Sequence, residues 1–152
     1  MKALLDTSVL VAGHLPTHPH FSDASRWISC AMQGGFELVV SSHTLAEVYA
    51  VLTRLPANPR ITPEAALQFL ENNVLSCAVV VALTGEHYRE LIRQAADSGL
   101  AGGMVYDAII AKAADTAGVD YLVTLNVTHF QRVWQAGAAR VVSPQTLAPP
   151  SV

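Results

Sequence analysis

The sequence predicts an α/β domain with a mainly parallel sheet. Five short apolar segments alternate with stretches whose apolar residues recur at helical spacing, and no linker divides them. The chain has 152 residues, the size of one domain, and its 51% hydrophobic content argues against disorder. We therefore predict one domain over residues 1–145 and a frayed tail over residues 146–152.

The predicted strands are short and apolar. They cover residues 3–5, 37–40, 77–83, 121–124 and 140–142. The first ends at Asp6, and the third is rich in valine, as expected for a strand covered on both faces. Two prolines and three histidines predict that the chain after the first strand is a loop: Pro16, Pro19, His14, His18 and His20.

The predicted helices have recognisable beginnings and ends. Serine or threonine caps begin most of them, and the glycines at 34–35 and 118 end two of them. The helices are predicted from Ser22 to about Gln33, from Ser41 or Ser42 through Leu52, from Thr62 to about Asn73, from Thr84 to about Asp97, from Met104 to Ala117 and from Thr128 to Gln135.

Several classes of protein are disfavoured by the sequence. The longest strongly apolar stretch, residues 77–83, is far shorter than the roughly 20 residues that a bilayer requires. Asp6 interrupts the apolar N-terminal run, so this run does not resemble a secretory signal. Cys30 and Cys77 fit neither a disulfide framework nor a zinc spacing, which indicates buried thiols in a reducing compartment. We expect a cytoplasmic protein without a membrane segment.

Three acidic residues stand out because of their surroundings. Asp6 directly follows the first strand, where it either caps the next turn, as Thr7 and Ser8 also can, or faces a ligand. Glu47 interrupts an apolar helical run and is either solvated at its edge or directed into a cleft. Asp107 is in the first turn of a helix, where the dipole favours an acid, but its apolar neighbours make an unpartnered carboxylate costly.

A shared cation would account for all three acids. In parallel α/β sheets, ligands bind beyond the carboxyl ends of the strands, near the switch point. A set of carboxylates selects Mg²⁺ or Mn²⁺ over zinc, and such an ion activates water and polarises a phosphodiester. The net charge of −3 becomes zero if three carboxylates bind metal, so charge neither supports nor excludes a nucleic-acid substrate.

Other catalytic patterns are weaker. The sequence has no cysteine–histidine array for zinc, no nucleophile-elbow glycine pattern and no phosphate-binding glycine loop after the first strand. His18 and His20 lie in a proline-rich loop and are more typical of surface residues than of zinc ligands. A phosphoacceptor signalling domain would require a conspicuous lysine on the last loop, and no lysine follows Lys112.

Four short motifs resemble those of the PIN-domain family, and within it the VapC-like toxins of bacterial toxin–antitoxin pairs. The resemblance extends over residues 2–142, with the motifs in the family's order. The motifs are Leu4-Leu5-Asp6-Thr7-Ser8-Val9-Leu10, Leu45-Ala46-Glu47-Val48, Tyr106-Asp107-Ala108-Ile109-Ile110-Ala111 and Leu122-Val123-Thr124-Leu125-Asn126-Val127-Thr128-His129-Phe130.

The resemblance implies a Rossmann-like α/β/α fold with strand order 3-2-1-4-5. It also implies an endoribonuclease that depends on Mg²⁺ or Mn²⁺, forms a homodimer and is blocked by an antitoxin. The family's three acids map onto Asp6, Glu47 and Asp107, and its following polar residue maps onto Ser8.

The fourth motif departs from the family's fullest pattern. Where many members have an aspartate, this chain has Asn126, with Thr124 nearby. Asn126 reduces the negative charge and weakens the case for a second tightly bound ion, although its carbonyl can hold water or the metal. This departure favours the alternative, a non-catalytic module that binds protein or RNA through its acidic cleft.

Overall fold

The computed structural model describes residues 1–151, which form alternating strands and helices. The strands are β1 Lys2–Leu5, β2 Glu37–Ser41, β3 Ala78–Val81, β4 Tyr121–Val123 and β5 Val141–Val142. The α-helices are α1 Thr7–His14, α2 Phe21–Met32, α3 Ser42–Arg54, α4 Pro63–Phe69, α5 Gly85–Asp97, α6 Met104–Ala117 and α7 Val127–Val133. A π-helical turn, Leu70–Leu75, follows α4, and a 3₁₀ helix, Gln135–Arg140, follows α7.

All five strands are parallel and lie in the order β3-β2-β1-β4-β5, which confirms the predicted fold. Alternate residues of the central strand β1 face opposite sides of the sheet. Ala3 and Leu5 pack against α1 and α2, whereas Leu4 packs in a second cluster with residues of α6 and α7. After β1, the chain adds β2 and β3 on one side of it and then crosses over to add β4 and β5 on the other side. The topological switch point therefore lies between β1 and β4.

Helix α1 occupies a segment that the sequence analysis assigned to a loop. Asp6 caps this helix by accepting a hydrogen bond from the Ser8 backbone nitrogen, and α1 then buries Val9 and Leu10. The prolines and histidines influenced the prediction, but the helix ends at His14, before Pro16. The loop prediction was therefore wrong for Thr7–His14, while the following residues 15–20 do contain only turns and bends.

The prediction that the third strand is covered on both faces was also wrong. Strand β3 is an edge strand that pairs only with β2 among the described strands. Val79 and Val80 retain 49% and 40% of their accessible surface. An apolar composition indicates a strand, but it cannot distinguish the middle of a sheet from its edge.

Most predicted helix ends are present. Ser41, Thr62 and Thr84 cap α3, α4 and α5 through their side chains, and Gly118 ends α6 with a left-handed backbone. Ser22 does not cap α2, because the helix begins at Phe21 and His20 occupies the N-cap position.

The C-terminal segment makes two hydrogen bonds to α2. The indole nitrogen of Trp27 donates to the Leu147 carbonyl at 3.2 Å, and the Cys30 thiol donates to the Pro150 carbonyl at 3.3 Å. The proposed domain boundary near residue 145 stays a prediction. None of the helices described within residues 1–151 combines the length and apolar character that crossing a bilayer requires.

Candidate active site

Asp6 lies at the carboxyl end of the central strand and is only 3% exposed. Its Oδ2 atom accepts hydrogen bonds from the Ser8 hydroxyl at 2.6 Å, the Thr124 hydroxyl at 2.8 Å and the Ser8 backbone nitrogen at 3.3 Å. Oδ1 makes no hydrogen bond to any residue in the described part of the chain. The capping role is therefore observed, and it leaves one carboxylate oxygen available for a ligand.

Ser8 and Thr124 connect the ends of two adjacent strands. Besides donating to Asp6, the Ser8 hydroxyl accepts from the Leu125 backbone nitrogen at 3.0 Å. The Thr124 hydroxyl accepts from the Asn126 backbone nitrogen, also at 3.0 Å. Thr124 is fully buried, so its hydroxyl positions Asp6 and the turn after β4.

Glu47 and Asp107 come from the two helices that flank the end of the sheet. Glu47 is on α3 and accepts a hydrogen bond from the hydroxyl of Thr7, the first residue of α1. Asp107 is in the first turn of α6, where 21% of its side chain is exposed. Its Oδ2 atom lies 3.5 Å from Nδ1 of His129 in α7, and 63% of the His129 side chain is exposed.

These three acids line a single cleft of about 360 Å³, together with Ser8 and Asn126. Within residues 1–151, however, no three histidine, cysteine, aspartate or glutamate side chains are gathered closely enough to hold a metal ion. The acids therefore share one cavity but not one coordination shell.

The charges in this cleft repel one another. Burial is the main cause that raises the pKa of Asp6; hydrogen bonds from Ser8 and Thr124 oppose this, and the charge of Glu47 adds to it. Burial, followed by the charge of Asp6, raises the pKa of Asp107 to about 6; His129 lowers it and Glu47 raises it further. A cation placed among these carboxylates would favour their charged forms. The oxygen-only donor set fits a hard divalent ion.

Two polar residues of this cleft were not predicted from the sequence. Thr7 was considered only as a helix cap, but its hydroxyl bonds to Glu47. His18 was assigned to the surface, but it lines the cleft with the acids. His20 does not line it, so the structure gives no support to a zinc site formed by these two histidines. The position of His18 depends on the conformation of the loop between α1 and α2, which no local sequence pattern predicts.

Comparisons with known proteins agree with this architecture. The family model described as PIN domain matches residues 2–128. Ribonuclease VapC40 of Mycobacterium tuberculosis is 37% identical over 117 residues, which span 77% of this chain and 81% of the relative. Ribonuclease VapC27 of the same species is 34% identical over 110 residues, which span 72% and 74%.

The fold is also similar to solved structures. VapBC2 of Rickettsia felis, in a crystal structure with a DNA fragment from its promoter, superposes with a TM-score of 0.64. The match covers 94% of this chain and 98% of the other, at 21% identity. At that level of identity, the similarity establishes the fold alone.

Proposed function

The chain belongs to the PIN-domain family, and on that basis we propose that it is a metal-dependent endoribonuclease that acts as the toxin of a toxin–antitoxin pair. The observation that carries this proposal is the cleft shared by Asp6, Glu47 and Asp107 at the switch point of the sheet. The ribonuclease names of two relatives at 37% and 34% identity support RNA as the substrate.

The proposed cofactor is Mg²⁺ or Mn²⁺, held by Asp6, Glu47 and Asp107. When bound, such an ion polarises the phosphodiester and increases the acidity of the attacking water. The three carboxylates supply the negative charge that fixes the ion, and their mutual repulsion favours its binding. The donor set contains no cysteine, and its carboxylate oxygens match the preference of both ions.

The surrounding residues hold the acids in position. The hydroxyls of Ser8 and Thr124 fix one oxygen of Asp6, and the Thr7 hydroxyl restrains Glu47. Asn126 adds an amide to the cleft without adding charge, and it can contact water or a phosphate oxygen. These hydrogen bonds restrict the positions that the carboxylates of Asp6 and Glu47 can adopt.

We propose in-line hydrolysis, in which water attacks the phosphorus and the 3′-oxygen leaves. The new P–O bond gives a 5′-phosphate, and the departing oxygen takes a proton to become a 3′-hydroxyl. The test is incubation of purified protein with single-stranded RNA in Mg²⁺ or Mn²⁺, followed by analysis of the product ends. A 2′,3′-cyclic phosphate would contradict this chemistry, because it requires attack by the RNA 2′-hydroxyl.

The proposed partner is a small antitoxin that covers the cleft of a homodimeric toxin. VapBC2, whose fold is similar, was crystallised with promoter DNA, which supports a partner of this kind. We expect a short reading frame for a DNA-binding protein directly upstream of the gene. Co-expression of the two proteins should yield a stable complex that does not cut RNA, and sedimentation of the chain alone should give the mass of a dimer.

A non-catalytic binding module is the second candidate. Two observations favour it: Asn126 replaces an acid, and the described carboxylates do not form a ready-made metal-binding group. RNA cleavage that is lost on adding a chelator and restored by Mn²⁺ would eliminate this candidate. RNA binding without cleavage in either ion would support it.

A further inference from the structure

The loop between α1 and α2 brings His18 into the acidic cleft. This loop covers residues 15–20 and follows the helix that Asp6 caps. His18 lines the cavity with Asp6, Glu47, Asp107 and Asn126, although it lies 12 residues from Asp6 along the chain. His18 is the one imidazole among the described residues that line the cleft.

The cleft has few hydrogen-bond donors available to an anionic substrate. The hydroxyls of Thr7 and Ser8 donate to Glu47 and Asp6, and each hydroxyl has only one proton to give. Among the described residues that line the cleft, none is lysine or arginine. The remaining side-chain donors are the amide of Asn126 and the imidazole of His18.

A local hydrogen bond determines which nitrogen of His18 can donate. The backbone nitrogen of His20 donates to Nδ1 of His18 at 3.1 Å. A ring nitrogen that accepts a hydrogen bond carries no proton, so the neutral ring carries its proton on Nε2. The loop therefore presents His18 as an Nε2–H donor.

We propose that Nε2–H of His18 donates a hydrogen bond to a non-bridging oxygen of the RNA phosphodiester in the cleft. This inference rests on the proposed function, because it assigns a substrate-binding residue to the same site. The acids bind the ion, and His18 with Asn126 binds the phosphate oxygens that the acids would otherwise repel. A hydrogen bond to a charged group contributes more than one between neutral groups.

The test uses three variants of the full-length chain. His18→Ala removes the donor, whereas His18→Gln keeps an amide donor at a similar reach. His20→Ala is the matched control, because its side chain lies outside the cleft and its backbone nitrogen is unchanged. Affinity for fluorescein-labelled single-stranded RNA is measured by anisotropy in Ca²⁺, after establishing that Ca²⁺ does not support cleavage, and kcat and KM are measured in Mg²⁺.

We expect His18→Ala to weaken RNA affinity and raise KM by about tenfold or more, the fold-change expected for a hydrogen bond to a charged group. His18→Gln should lie within about threefold of the wild type, and His20→Ala should match it. Affinity for Mn²⁺ alone, followed by electron paramagnetic resonance, should not change in His18→Ala. Weaker Mn²⁺ binding would overturn the proposal, because it would make His18 a metal ligand.

The outcomes separate this proposal from the proposed function. If the wild type cuts RNA and His18→Ala binds and cuts equally well, the assignment of His18 is wrong and the nuclease stands. If the wild type never cuts, but His18→Ala loses RNA affinity and His18→Gln keeps it, the phosphate contact stands and the nuclease proposal fails.

Discussion

Replacing Asp107 with asparagine should stabilise the metal-free protein. The carboxyl group of Asp107 has a pKa of about 6 in the folded chain, against an ordinary value of 3.8, chiefly because of burial and the charge of Asp6. This difference corresponds to at most about 3 kcal/mol of folding free energy lost at neutral pH. Asparagine has nearly the same shape and carries no charge, so the variant avoids that cost.

The stabilisation expected for Asp107→Asn depends on pH. Above pH 6 the carboxylate is charged in both states, and the folded state bears the full penalty. As the pH falls from 6 towards 3.8, the folded state takes up the proton first, so the penalty decreases. At pH 4.5 about a third of it remains. The advantage of Asp107→Asn should therefore be largest at neutral pH and should shrink with acidification.

The assay is urea unfolding in EDTA at pH 7.5 and pH 4.5. We expect Asp107→Asn to be more stable than the wild type by about 1–3 kcal/mol at pH 7.5, which for a domain of this size raises Tm by about 2–4 °C per kcal/mol. Asp97→Asn, at the exposed end of α5, is the matched control and should not differ from the wild type. Adding Mg²⁺ should stabilise the wild type more than Asp107→Asn. If Asp107→Asn in EDTA is no more stable than the control, the carboxylate is not under electrostatic strain and the argument fails.

Three further substitutions test other parts of the site and fold. Asp6→Asn should abolish RNA cleavage while circular dichroism stays native; normal cleavage would show that Asp6 is not required. Thr124→Val removes the hydroxyl that donates to Asp6 and accepts from the Asn126 backbone nitrogen, and it should reduce kcat by about tenfold or more. Thr124→Ser keeps the hydroxyl and should retain activity. Equal activity of the two variants would refute the positioning role of Thr124. Gly137→Ala places a methyl group against the buried ring of Trp134 and should lower the free energy of unfolding in urea by about 1–3 kcal/mol. Gly85→Ala is the control, because its methyl group meets open space and should leave stability unchanged. Similar stabilities of the two variants would contradict this packing.

Local sequence patterns were sufficient for the five strands of a mainly parallel sheet and drew attention to the three acids, whereas the strand order came from the resemblance to the PIN-domain family. Apolar segments placed each strand, and Asp6 and Asp107 were notable because they interrupt or adjoin such segments. Residues at the ends of strands and helices could be predicted as site residues because a parallel sheet brings these ends together at one edge. The resemblance then favoured a site role for Glu47, which considered alone is an ordinary solvated glutamate of a helix.

The remaining features depend on tertiary contacts that no local pattern encodes. Helix α1 was missed because the prolines and histidines beyond Asp6 suggested a loop, although capping was one of the two interpretations of Asp6. The exposure of Val80 depends on which strand lies at the edge. His18 lines the cleft because of the conformation of the six-residue loop over residues 15–20, which has no regular secondary structure.

One atom, Oδ2 of Asp6, both begins α1 and joins the ends of β1 and β4. Inactivating the protein at this position therefore risks loosening its framework. Asp6→Ala would remove the helix cap and leave the buried Thr124 hydroxyl without its acceptor. A loss of activity in that variant would therefore not distinguish a missing catalytic group from a destabilised fold. Asparagine, itself a good cap, retains an oxygen acceptor and removes only the charge. Inactive variants intended for trapping the proposed RNA substrate or the proposed antitoxin should therefore carry Asp6→Asn.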